Sequence, residues 1–246
     1  MQTQVQNELI ENSIETGKLF GMLKYLPDGQ LTHAPFSLSP YSISAEDLHE
    51  MTELTSYFSE LMIRVSQDWD FLDQHLGPSA NTDPFLKMLL DFRMKEVTQS
   101  KQLLIQRNDF FIIKDELRND RQGRIETKKT LSGSALRQVE INTVSASFPF
   151  LITQLARLHQ NLVEQNQLEQ IIPNNPLSPV VNAFAKAMQD YGSTDAVMLM
   201  VSQPEESNRF DQLGLEQLLW DEHKIKTVRK SLTEIYEIGC LREGHL

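Results

Sequence analysis

The stretch Val139-Glu140-Ile141-Asn142-Thr143-Val144-Ser145-Ala146-Ser147-Phe148 decides how the rest of the chain is read. In an extended strand successive side chains point to opposite faces. Val139 and Ile141 are therefore expected to face a core, and Glu140 and Asn142 to share the other side. A carboxylate and a carboxamide on one strand face offer oxygen ligands to a hard cation such as Mg2+. Ser145 and Ser147 stand just before a helix expected to open near Pro149. Helix N-termini carry N–H groups without helical partners and the positive end of the dipole, so carboxylates and phosphates bind there. These residues leave two readings open. One places cation ligands beside an anion cradle; the other is an edge strand with a solvated polar face and a serine cap.

Downstream, Phe150, Leu151, Leu155, Leu158 and Leu162 recur at helical spacing. Ile172–Pro179 contains three prolines and is the expected domain boundary. Asn175-Pro176 is expected to cap a helix through Val181, Phe184, Ala185 and Met188, closed by Gly192. Ala196–Val201 is an unbroken apolar run, as for a strand covered on both faces. Asp211–Glu222 reads as a helix and Lys226–Arg229 as a return strand. This is a βαβ unit, whose ligand loop lies at the carboxyl end of the first strand, here Ser202–Asn208.

Upstream, Leu103–Ile105 and Phe110–Ile113 read as short strands with Arg107 between them. Lys114–Ser134 is densely charged and reads as a solvated hairpin or loop. Asp83-Pro84 opens a helix with an expected buried stripe of Phe85, Met88, Leu89 and Phe92. Ser44, with Asp47 three residues on, caps the clearest helix, whose stripe runs from Leu48 through Met51, Thr55, Phe58, Met62, Val65 and Trp69 to Leu72. One helix ending near Gly77-Pro78 is expected there. Residues 1–26 carry a weak helical pattern, followed by a turn at Leu26-Pro27-Asp28-Gly29.

The 246 residues suffice for one large domain or two small ones. A net charge of −11 argues against nucleic-acid and anionic-membrane partners, though not against ATP held by a local Arg or Mg2+. No apolar run has the length of a bilayer span. Met1–Glu15 is polar and amide-rich, without the regions of a signal peptide. Cys240 is the single cysteine, which excludes an intrachain disulfide and a multi-thiolate metal site. A cytoplasmic location is expected from these features. The six histidines show no metal-ligand spacing, and no two glycines are adjacent or one residue apart. Phosphate-covering loops need such glycines so that backbone N–H groups can approach oxygen.

The central stretch is similar to the metal- and substrate-binding signature of eukaryotic-type glutathione synthetases. Further matches follow in that family's order: Ala34-Pro35-Phe36-Ser37-Leu38, Arg107-Asn108-Asp109-Phe110, Asn174-Asn175-Pro176, Tyr191-Gly192-Ser193, Glu206-Ser207-Asn208 and Phe210-Asp211-Gln212. The resemblance covers nearly the whole chain and about the first half of the family's length. It implies a mixed α/β fold: residues 1–175 as the helix-rich N-terminal part of an ATP-grasp-like catalytic domain, and residues 176–246 as the first half of a Rossmann-like substrate domain.

The resemblance implies ATP- and Mg2+-dependent ligation of glycine to γ-glutamylcysteine through an acyl phosphate, in a protein that is commonly a homodimer. It makes Glu140 and Asn142 metal ligands, with Glu140 also next to the nucleotide. Arg107, Val144, Ser145, Ala146, Ser147, Glu206, Ser207, Asn208 and Gln212 correspond to substrate-binding positions, with Glu206 receiving an ammonium group. No residue is assigned a catalytic role. Two departures stand out: Pro149-Phe150 replaces small glycines, and Ser207 replaces a basic residue. The family's glycine-rich lid, nucleotide lysines and second acidic metal ligand are not located in this sequence, so the chain alone is expected not to make glutathione. The alternatives are a non-catalytic homologue that binds a thiol peptide or a protein, or a ligase that uses another amino acid in place of glycine.

Overall fold

The computed structural model describes residues 2–93, 101–112, 116–119, 125–128, 136–166 and 171–240. The fold is mixed α/β, as expected, with small sheets of two strands each. The chain forms two compact units. One is continuous, Ser42–Ala146, and the other joins Met1–Tyr41 to Ser147–Leu246. They are called here the inserted and the discontinuous unit. The expected boundary at residue 175 falls within the discontinuous unit.

The discontinuous unit starts with helix α1, Gln2–Leu19, and the antiparallel pair β1, Leu23–Tyr25, and β2, Leu31–His33. The anticipated turn joins these strands. Gly29 donates to the Leu26 carbonyl at 2.9 Å and has φ 82°, a value that favours glycine.

In the inserted unit, α2 spans Ala45–Gln67. Ser44 caps it as read: its Oγ accepts from Asp47 N–H at 2.9 Å and donates to the Asp47 carboxylate at 2.8 Å. The single long helix expected here is two helices. Asp68 leaves helical geometry and caps α3, Trp69–Ala80, by accepting from Phe71 N–H at 3.0 Å. Gly77 and Pro78 lie inside α3 rather than at its end. An aspartate that bonds forward to the backbone competes with helix continuation, and the apolar spacing does not register this.

Helix α4, Pro84–Arg93, opens as expected, with Asp83 Oδ1 accepting from Phe85 and Leu86 N–H groups. Its stripe is not buried: Phe85 is 64% and Phe92 54% exposed. Leu103–Ile105 is not a strand. Arg107 instead opens β3, Arg107–Ile112. The charged segment contains a hairpin, β4 Glu116–Asn119 with β5 Ile125–Lys128, as anticipated. Lys129 and Ile113 lie outside the described residues. The central strand is β6, Leu136–Asn142, antiparallel to β3. Val139 does not face a core; it is 48% exposed, because among the described residues this sheet has two strands and little covers that side of it.

The chain then returns to the discontinuous unit with α5, Pro149–Asn166, and α6, Leu177–Tyr191. Asn175 accepts from Ser178 N–H at 3.2 Å, so it caps α6 in effect, and Gly192 closes α6 in the left-handed conformation. Strand β7, Met198–Val201, helix α7, Arg209–His223, and strand β8, Thr227–Lys230, form the expected parallel βαβ unit. A short helix α8, Leu232–Ile238, follows. Leu177, Val181, Leu215 and Leu219 form the core between α6 and α7, with Phe150, Phe184, Met198 and Met200 packed against them. Each such fully buried leucine contributes about 1.5–3 kcal/mol. No helix among the described residues is long and apolar enough to cross a membrane.

Candidate functional site

The β3–β6 register sets Arg107 opposite Asn142 and Asp109 opposite Glu140. With alternating faces, all four side chains share one side of the ladder. Arg107 donates from Nε to Asp109 Oδ1 at 2.9 Å and from Nη2 to Asp109 Oδ2 at 3.1 Å, a bidentate fork. Its Nη2 lies 3.8 Å from Glu140 Oε1, and Asn142 Nδ2 donates to the same oxygen at 3.1 Å. A β-bulge between Asp109 and Phe110 ends the regular pairing beside this cluster. On the other side of β3, Asn108 and Gln106 reach Thr55 and Ser59 of α2.

Electrostatics follow from the fork. The Arg107 guanidinium holds the Asp109 carboxyl below the usual carboxylate range, and Asp109 in turn raises Arg107. Asp109 stands within the Arg107-Asn108-Asp109-Phe110 match but is not among the residues that the resemblance implies for the site. The spacing of Arg107 and Asp109 on one strand face was the available signal.

The expected pairing of Glu140 with Asn142 on one face is what the structure has. Two carboxylates against one guanidinium leave the cluster formally negative, with oxygen donors that suit Mg2+. Among the described residues no group of three or more His, Cys, Asp and Glu side chains could hold a metal ion.

Val144–Ala146 follow β6, with Val144 83% exposed. Ser145 has φ 52° and Phe148 φ 81°, both in the left-handed region that non-glycine residues enter at a cost. Helix α5 opens at Pro149 as expected, but its N-terminus is no free anion cradle. The Asp211 carboxylate accepts from Phe148 N–H at 2.7 Å and from Leu151 N–H at 3.0 Å. Asp211 is 4% exposed, and that burial pushes its carboxyl above the ordinary aspartate value despite the backbone donors. The departure at Pro149-Phe150 has a packing role. Pro149 occupies the first helical position, and the Phe150 ring lies over Gly214 of α7.

Ser202–Asn208 follows β7 at its carboxyl end, where α/β units bind ligands. Glu206 Oε1 accepts from Asn208 N–H at 2.8 Å, so one oxygen of its carboxylate serves the loop itself. Ser207 is exposed. The Gln212 side-chain amide oxygen accepts from the Arg229 guanidinium of β8, which also bonds the Glu216 carboxylate. Arg229 and Asp211 are the groups here that sequence reading left without a role. Asp211 was within the quoted Phe210-Asp211-Gln212 match, but its partners lie 60 and 63 residues away and leave no local signal. Arg107, Glu140 and Asn142 thus gather in the inserted unit, while Ser147, Glu206, Asn208 and Gln212 belong to the discontinuous one.

Comparison with known proteins identifies the family. The family described as eukaryotic glutathione synthase, ATP binding domain, matches residues 2–245. Similar proteins include the chloroplastic glutathione synthetase of Solanum lycopersicum, 34% identical over 89% of this chain and 39% of the relative. The glutathione synthetase of Rattus norvegicus is 29% identical over 98% of this chain and 50% of its own length. The chain thus spans half or less of these relatives. Among solved structures, a glutathione synthetase-like effector from Globodera pallida in apo form superposes with a TM-score of 0.76 at 18% identity. That alignment covers 95% of this chain and 51% of the other, and it bears on the fold. The chain belongs to the eukaryotic glutathione synthase family.

Proposed function

We propose that this chain supplies metal- and substrate-binding parts of a glutathione synthase. In that reaction the cysteinyl carboxylate of γ-glutamylcysteine takes the terminal phosphoryl group of ATP, and ADP leaves. The glycine amine then attacks the acyl carbon, loses a proton and expels inorganic phosphate. Glu140 and Asn142 would hold Mg2+, which neutralises phosphate charge when bound. Arg107 would bind a substrate carboxylate, and its orientation is set by Asp109. Val144–Ser147, Glu206–Asn208 and Gln212 would contribute further substrate contacts, Glu206 toward an ammonium group. Catalysis of this kind is mostly positioning and charge neutralisation. A homodimer, a cytoplasmic location and the division at residue 175 belong to the same reading and rest on the family resemblance.

The observation that carries the proposal is the ladder of Arg107, Asp109, Glu140 and Asn142, in a chain whose family match runs from residue 2 to residue 245. Calorimetric titration of the chain with γ-glutamylcysteine tests it. Saturable binding is expected, weakened by roughly 1.5–3 kcal/mol in Arg107→Ala, the range for a lost charged hydrogen bond. Equal affinity in both would remove Arg107 from the site. Mass spectrometry after incubation with ATP, Mg2+, γ-glutamylcysteine and glycine, or another amino acid in its place, reads the ligation itself. Glu140→Gln keeps the shape and loses the charge, so any ligation should vanish in it.

A further inference from the structure

We propose that Asp211 is a positioning residue for substrate binding, which joins the Ser147 segment and the Glu206–Asn208 loop into one rigid piece through the N-terminus of α5. It rests on the reading above that these segments bind γ-glutamylcysteine, and it adds how they are held. Asp211 lies in the first turn of α7 and is buried, yet its carboxylate serves another helix. The amides of Phe148 and Leu151 both point at it. These amides lie at the start of α5, where N–H groups lack helical acceptors.

A second, apolar contact fixes the same two helices. Gly214 is one turn beyond Asp211 on α7, and a Cβ there would stand 2.1 Å from the Phe150 ring. The ring fits only because residue 214 has no side chain. Charge and shape thus set one distance and one rotation between α5 and α7. The chain enters α5 through Ser147 and Phe148, and Phe148 holds a left-handed φ of 81°. Release of its amide would remove the bond that maintains this conformation. At the other end, α7 is entered through Asn208, whose N–H is held by Glu206. A continuous path of short bonds runs from Glu206 to Asn208, along one turn of α7 to Asp211, and across to Phe148 beside Ser147. An anion could reach the α5 N-terminus only by displacing Asp211, so the end of α5 orients Ser147 rather than binding phosphate.

Amide hydrogen exchange and calorimetry on the 246-residue chain test the proposal. In the wild type the Phe148 and Leu151 amides should exchange slowly. Asp211→Asn keeps the shape but turns an NH2 group toward N–H donors. It should speed exchange at Phe148 and Leu151 while Leu215 and Leu219 stay protected. It should also weaken γ-glutamylcysteine binding by roughly tenfold, about the effect of one lost charged hydrogen bond. Fast exchange at Phe148 and Leu151 in the wild type would overturn the clamp. So would a folded Asp211→Asn with wild-type affinity. If Asp211→Asn does not fold, Phe150→Leu loosens the same junction without touching the carboxylate, and unchanged affinity in it overturns the proposal. Should the wild type bind no γ-glutamylcysteine, the substrate reading fails and the binding role with it, while the exchange rates still decide the clamp.

Discussion

Two aspartates in this chain solve opposite problems. Asp109, in the inserted unit, is about a third exposed and is neutralised by one side chain two residues away. Asp211, in the discontinuous unit, is buried and is hydrogen-bonded by backbone amides at the start of another helix. The guanidinium pulls the first carboxyl down; burial pushes the second up. A pair of side chains can open when a ligand carboxylate competes for the fork, because solvent reaches both partners. Backbone amides fixed by a helix cannot move aside separately. The Arg107–Asp109 pair is thus partly open to solvent, whereas the Asp211 junction is buried and tied to backbone.

The largest expected effect breaks the rigid side of this contrast. Gly214→Ala would gain up to about 1 kcal/mol from helix propensity on an exposed surface. Here the new methyl meets the Phe150 ring, so destabilisation by roughly 1–3 kcal/mol is expected instead, the usual cost of overpacking. Urea unfolding of the two proteins gives the sign. A stabilised variant would show that the close approach of α5 and α7 is not required.

A smaller effect sharpens the exposed side. Asp109 has a lowered folded pKa, so its share of stability is present above the unfolded carboxylate range and is lost as pH falls through the folded value. The stability difference between wild type and Asp109→Asn should hold steady near neutrality and close in acid. Asp211, with a raised folded pKa, acts in the other direction: its share is fully present below the unfolded value and is lost as pH rises through the folded one. Urea titrations across acid pH, on wild type and each asparagine variant, should give differences that change in opposite senses. Parallel curves would contradict the contrast.

The smallest effect is local. Ser231 and Glu234 form a capping box at α8, and the Ser231 backbone N–H is the main cause that pushes the Glu234 carboxyl down to about 2. Its contribution is intact above the unfolded range and is lost progressively as pH falls from there through about 2. Carbon-13 titration of the carboxyl should read this value. Lys230→Met, which deletes a second donor, should move it upward; an ordinary glutamate value in the wild type would show that the box is open.

Contacts between near neighbours in sequence were the legible ones. Ser44 with Asp47, Asp83 before Pro84, Gly192 and the βαβ order all follow from spacing, as does the shared face of Glu140 and Asn142. The split at Asp68 was hidden because apolar spacing continues through it. The exposure of Val139 and of the α4 stripe was hidden for another reason: an apolar face states that it can be covered, not that a partner is in place. Asp211 and Arg229 act on elements that only tertiary structure brings near, and Ser207 and Pro149-Phe150 had meaning only as departures from a resemblance.

Interruption of one unit by another sets an order for biosynthesis. Residues up to Tyr41 leave the ribosome before the segment they pack against exists, since α1 lies on α5 and His159 donates to the Ser37 carbonyl, 122 positions earlier, at 2.7 Å. Ser42–Ala146 emerges whole in the meantime. The middle segment can thus pair internally first, while α1 and the Ser37 carbonyl lack their α5 partners until that helix is translated.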